Sequence, residues 1–188
     1  MPQRGRAEEK PASRARALDR LAVAVDGAES SFGTNPAMWR RDPSGPQGPM
    51  QVTAAAAADV GGGNRFDPRE NFALGRAYLG LMYRRFGSWP EAVAAYNWGP
   101  GRLDAWIRGG RVAVQFPREV ALYEDRVLFG SALPGSAWAG KAGRGFRWRP
   151  LGIVHAQPRE TRRPALSAAN RRAVFSLYTE ILAASAKR

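Results

Sequence analysis

Leu18, Ala22 and Val25 stand eleven, seven and four residues ahead of Glu29. On a helix those spacings put them within about 40° of Glu29 around the axis. A first helix is therefore expected from about Ala15 to Glu29, with an apolar stripe that ends in a carboxylate. Arg20 falls on the far side, and Asp19 and Asp26 read as lying off the stripe. Gly33 to Pro49 follows, with four prolines and three glycines among Asp, Asn and Arg, and reads as a long turn-rich loop. The chain then enters an alanine-rich helix, Thr53 to Val60, which Gly61-Gly62-Gly63 stops.

Two later helices carry their own start signals. Asp67-Pro68-Arg69-Glu70 and Ser88-Trp89-Pro90-Glu91 each place a capping side chain, an early proline and a glutamate three positions on. Phe72, Leu79, Met82 and Phe86 give the first of these an apolar face. The second runs through Ala95-Tyr96-Asn97 to the stop at Gly99-Pro100-Gly101. A short helix is expected around Leu103 to Ile107. Another opens at Pro117, with Val120, Tyr123, Val127 and Leu128 on one side. Four stretches result: a loose basic arm over 1–14, a helical domain over 15–132, a Gly/Pro/Arg-rich linker over 133–166, and an amphipathic helix over 167–188. In that final helix Val174, Leu177, Tyr178, Ile181 and Leu182 recur at helical spacing.

The chain of 188 residues carries a net charge of +13, which invites a nucleic-acid partner until the charge is located. Residues 1–16 hold +3, residues 138–188 hold +9, and the 121 residues between hold only +1. The basic surplus belongs to the ends, so nucleic acid is not the expected partner of the helical domain. Segments such as Arg144-Gly145-Phe146-Arg147-Trp148-Arg149 leave that reading open for the tail alone. An anionic cell-wall or membrane surface is the other candidate for the tail. With no cysteine and one histidine, His155, thiolate chemistry is excluded, and a His-rich metal centre and a Ser-His-Asp triad are disfavoured. No apolar run has membrane-spanning length. Leu21 to Val25 is too short for a secretory core and is interrupted by Asp26, so no export signal is visible.

Four segments occur in order: Glu29-Ser30-Ser31-Phe32, Gly45-x-x-Gly48-x-Met50-Gln51, Ala95-Tyr96-Asn97-Trp98-Gly99-Pro100-Gly101, and Pro117-x-Glu119-x-x-x-Tyr123. Together they resemble the catalytic domain of soluble-type lytic transglycosylases, relatives of goose-type lysozyme, over roughly Ala17 to Ser131. The resemblance implies a mainly α, lysozyme-like domain that cleaves the MurNAc–GlcNAc bond of peptidoglycan in the cell envelope, without metal or cofactor. It implies that Glu29 acts first as acid and then as base while the sugar's C6 hydroxyl attacks C1, leaving a 1,6-anhydro end. Glycosidases that use water or an enzyme nucleophile need two carboxylates; an internal nucleophile needs one. By the same resemblance Met50 and Gln51 line the cleft, Tyr96 and Asn97 flank the acid, and Glu119 and Tyr123 come from a helix closing the glycan groove.

The chain also departs from the pattern. The loop between Glu29 and Gln51 is longer than usual, and Asp42 stands where the family has serine, with Ser44 nearby. Pro49 and Trp98 replace the usual Leu and Ala. Trp98 reads either as a sugar-stacking face or as packing. A hydrolytic muramidase is the rival reaction, with Asp42 as the one nearby second carboxylate. Burial of a carboxyl at the end of an apolar stripe raises its pKa toward the range of a proton donor. A buried phenol needs a hydrogen-bond partner, which points to Tyr96 beside Glu29.

Overall fold

The structure is a computed structural model that describes residues 11–133. Residues 1–10, the expected linker beyond Leu133 and the expected helix over 167–188 lie outside the described residues. Six α-helices follow one another: α1 Pro11–Ser30, α2 Ala54–Asp59, α3 Pro68–Phe86, α4 Trp89–Trp98, α5 Pro100–Arg108 and α6 Arg118–Gly130. Among the described residues there is no strand, only an isolated antiparallel bridge between Gln47 and Val52 that closes the loop ahead of α2.

The helix starts obey their sequences. Asp67 accepts the N–H groups of Arg69 and Glu70, both at 2.9 Å, and caps α3. Thr53 and Ser88 cap α2 and α4 in the same manner. Glu70 departs from the capping box, because its carboxylate accepts the N–H of Asn64 at 2.8 Å instead of turning back to Asp67. Two boundaries also differ from expectation. α1 already includes Pro11, the first of the described residues and four residues ahead of Ala15. α5 begins at Pro100, because the single residue Gly99 ends α4 and opens α5.

The core forms where α1 meets α3 and α6, and α4 packs against α3 and α6. Leu21, Val25, Leu79, Met82, Val93, Leu103, Val127 and Leu128 are fully buried there. Each such side chain contributes about 1.5–3 kcal/mol of transfer free energy. The helices thus form a rigid body onto which the 31–53 loop must be fastened.

Asn71, buried in the first turns of α3, is that fastening. Its Oδ1 accepts the Met50 N–H at 2.9 Å, and its Nδ2 donates to the carbonyls of Gln47 at 2.7 Å and Arg65 at 2.8 Å. The approach is so close that a Cβ on Gly48 would lie 2.4 Å from Asn71 Nδ2, and the φ of +75° at Gly48 also favours glycine. From the other side Arg65 donates to the carbonyls of Gly45, Val52 and Pro43 at 2.9–3.0 Å.

Asn71→Ala leaves the Met50 amide and the Arg65 carbonyl without this partner, while the Gln47 carbonyl keeps the Val52 N–H. Each unsatisfied buried group costs about 1–3 kcal/mol, so a loss of about 3–5 kcal/mol is expected in urea unfolding. A loss under about 1 kcal/mol would show that the loop is held by other means.

Candidate active site

α1 ends abruptly just after Glu29. Ser31, Phe32 and Gly33 have φ of 53°, 58° and 69°, so three successive residues enter the left-handed region. For Ser31 and Phe32 this is strained backbone, of the kind that persists where the surroundings over-determine it. Ser30 supplies that restraint: its Oγ accepts the Gly33 N–H at 2.7 Å and its carbonyl accepts the Asn35 N–H at 2.9 Å. The Phe32 ring folds back over Gly27, where a Cβ would sit 2.6 Å from the ring. The Glu-Ser-Ser-Phe segment is therefore a helix stop that leaves Glu29 on the last turn, partly buried and facing inward.

Burial raises the pKa of Glu29, and three neighbours oppose the rise: first the Tyr123 phenol, then the charges of Arg40 and Arg126. The net direction is upward. Tyr123 is buried on α6, and burial and the charge of Glu29 push its own pKa well up. Its hydroxyl meets no partner in full hydrogen-bond geometry, and its dipole is the first of the three influences that hold the Glu29 pKa down. Arg40 donates from Nε to Gln51 Oε1 at 3.1 Å, and this fixes its guanidinium at the edge of the loop.

Each expected site residue has a definite place. Met50 is 0% exposed, so its side chain belongs to the core and offers no surface to a ligand. Gln51, with φ of 46°, spends both amide hydrogens on the carbonyls of Met38 at 2.7 Å and Gly48 at 2.9 Å. It is thus a staple of the loop and a support for Arg40. The expected contact between the Tyr96 hydroxyl and Glu29 is corrected: that hydroxyl donates to the Met50 carbonyl at 2.8 Å. A buried phenol settles on a strong main-chain acceptor that already has no access to water. Tyr96 remains close enough to feel the charge of Glu29, and it stacks edge-on with Tyr78 at 5.7 Å. Asn97 is exposed at the end of α4, and Glu119 is exposed in the first turn of α6.

The departures from the family pattern also find places. Asp42 is exposed, and its Oδ1 accepts Ser44 N–H at 2.9 Å and Ser44 O–H at 2.7 Å, bonds that hold its pKa down. The two residues make a turn. Trp98 packs edge-on against Phe116 at 5.5 Å. Among the described residues no group of three or more His, Cys, Asp or Glu side chains gathers as a metal site.

Sequence reading passed over Asp26, Asn71, Arg40 and Arg126. Asp26 is only 60° from Glu29 on a helix, on the side away from Val25. The apolar face is wide enough to take it in, and it is buried at 1% exposure. The spacing of three from Glu29 was the available signal. For Asn71 and the two arginines only the fold brings the partners together.

The helical domain thus holds a half-buried glutamic acid at a helix end, acted on by one tyrosine and two arginines. The chain belongs to the transglycosylase SLT domain family, whose family model matches residues 6–112. Its relatives include the soluble lytic murein transglycosylases of Salmonella typhimurium, 33% identical over 119 residues, and of Escherichia coli K12, 32% identical over 119 residues. Each match covers 56% of this chain and 18% of the relative, so the chain spans under a fifth of those proteins. No solved structure matches the chain.

Tyr123→Phe removes the dipole directed at Glu29 and should raise the pKa of that carboxyl further, as read by carbon NMR titration of the glutamate side chains. Tyr96→Phe should leave that pKa nearly unmoved and cost about 1 kcal/mol of stability through the Met50 carbonyl. Reversal of the two outcomes would return Tyr96 to the role first expected for it.

Proposed function

We propose that the chain is a peptidoglycan lytic transglycosylase that cleaves the β-1,4 bond between MurNAc and GlcNAc and leaves a 1,6-anhydro-MurNAc end. The observation that carries this is Glu29, a half-buried acid at a helix end, with no carboxylate of the described residues among the groups that act on it. Asp42 is turned to Ser44 and open to water, and Asp26 lies buried beneath the helix end. Hydrolysis by activated water or by a covalent intermediate needs that second group. An attack by the substrate's own hydroxyl does not.

In this reaction Glu29 gives its proton to the glycosidic oxygen as the bond from C1 to that oxygen breaks. The carboxylate then takes the proton of the C6 hydroxyl as O6 bonds to C1, and Glu29 ends protonated as it began. Its raised pKa favours the protonated donor, while Tyr123, Arg40 and Arg126 stabilise the carboxylate formed between the two transfers. Tyr96 and Asn97 flank the acid, Glu119 stands at the rim, and Met50 and Gln51 hold the core and the loop. The substrate places the enzyme in the cell envelope. Among the described residues no helix is long and apolar enough to cross a membrane. The basic residues of 138–188, net +9, serve to hold the enzyme on an anionic wall or lipid surface.

Glu29→Gln removes acid and base assistance together, each commonly worth about 10²–10⁴-fold, so muropeptide release from purified walls should vanish. Stability should hold or rise slightly, because a neutral amide replaces a poorly hydrated carboxyl. More than a tenth of wild-type release in mass spectrometry would sink the role of Glu29, and reducing ends in place of anhydro ends would make the enzyme a hydrolase. Binding to whole sacculi should weaken steeply from low to physiological salt, where the Debye length is about 8 Å. Salt-independent binding would remove the tail from this account.

A further inference from the structure

Asp26 sits one turn before Glu29 and has no part in the proton transfers described above. Its carboxyl is enclosed, and its partner Ser30 is likewise 0% exposed. Ser30 Oγ has three neighbours: Gly33 N at 2.7 Å, Asp26 Oδ1 at 2.5 Å and the Asp26 main-chain oxygen at 3.0 Å. A hydroxyl offers one hydrogen and two lone pairs. The Gly33 N–H occupies one lone pair. If Asp26 were ionised, both remaining neighbours would be acceptors competing for a single hydrogen. With a proton on Asp26, the carboxyl donates into the second lone pair and Ser30 donates to the main-chain carbonyl. Three contacts are then served by three hydrogens.

We infer that Asp26 is a positioning residue that acts as the neutral acid: its proton ties the last turn of α1 to the left-handed break and so holds Glu29 in place, and ionisation loosens the tie. Burial works in the same direction, pushing the Asp26 carboxyl up to about 7 against the opposing bonds of Ser30 and Gly33. Among the titratable groups on the elements around it are Glu29 on α1, Tyr78 on α3, Tyr96 on α4, and Tyr123 and the buried Glu124 on α6. Tyr96 feels the charges of both Glu29 and Asp26. The cations Arg40 and Arg126 act on Glu29, and neither figures among the groups that set Asp26.

The kinetic part of this inference rests on the proposed glycan cleavage; the protonation part does not. The test compares the full chain with Asp26→Asn, which keeps a donor toward Ser30 and cannot ionise, and with Asp26→Ala. Thermal melts need no substrate. A carboxyl whose pKa rises from 3.8 unfolded to about 7 folded contributes stability that is whole below pH 3.8 and lost as the pH climbs to about 7. The midpoint of Asp26→Asn should therefore gain on wild type across that interval, and the gap should level off above it. In kcat, wild type should fall about tenfold per pH unit once Glu29 ionises and about a hundredfold per unit once Asp26 ionises too, whereas Asp26→Asn keeps the shallower slope. At pH 6 Asp26→Ala should lose at least about tenfold in kcat with KM within about twofold, and Asp26→Asn should stay within about threefold of wild type. A midpoint gap that does not change with pH would overturn the neutral acid. Coincident alkaline slopes for wild type and Asp26→Asn would overturn the positioning role. Absence of glycan cleavage by the wild type would refute the proposed function alone, and the melts would still decide whether Asp26 carries its proton.

Discussion

The carboxamide of Asn71 is the point at which the irregular part of this domain is joined to its helices. It reaches from α3 across Gly48 to bind the main chain of Gln47, Met50 and Arg65. Loops expose carbonyls and amides that a helix satisfies internally, and a loop laid over a buried floor must satisfy them through side chains. Asn71 does so from below and Arg65 from the side. With both in place Met50 is driven into the core and its carbonyl is presented to Tyr96. The buried Met50, Tyr96 of α4 and the loop that carries Arg40 are all registered against α3 through this one side chain.

The second constraint is the end of α1. A carboxyl in mid-helix would be either fully solvated or fully enclosed. At a helix stop held by Ser30 and Phe32 it is half of each, and its burial raises its pKa. The strain of the left-handed residues is the counterpart of that placement, and it is absorbed by hydrogen bonds made between Gly27 and Asn35. Local covalent proximity, rather than packing between distant elements, therefore fixes the acid.

The groups that modulate Glu29 arrive from elsewhere. Tyr123 and Arg126 come from α6 and Arg40 from the loop. This division has a physical sense. The position of the carboxyl depends on a short segment that folds in one piece, while its proton affinity depends on the assembled core, so the site reaches its working electrostatics only when the helices have packed.

Much of this was legible in the chain. Caps at Asp67, Ser88 and Thr53, prolines in first turns and the triple glycine after α2 are local signals, and local hydrogen bonding decides helix ends. The stripe ending in Glu29 was legible for the same reason, because helical periodicity converts spacing into direction. Periodicity gives an angle but not the width of the buried face, and so Asp26 looked peripheral and is enclosed. Nor could spacing say which phenol meets the acid. Tyr96 and Tyr123 are both compatible with a partner at Glu29, and the choice fell to Tyr123 because the Met50 carbonyl, brought up by Asn71, took the hydroxyl of Tyr96. Met50 and Gln51 were legible as a conspicuous pair near the cleft, yet their roles as core and staple follow from what encloses them. The sequence by itself determined the helices, the strained stop and the acid placed on it, since each depends on residues a few positions apart. The tertiary structure decided which groups surround that acid, since those contacts join residues tens of positions apart and exist only after the core has closed.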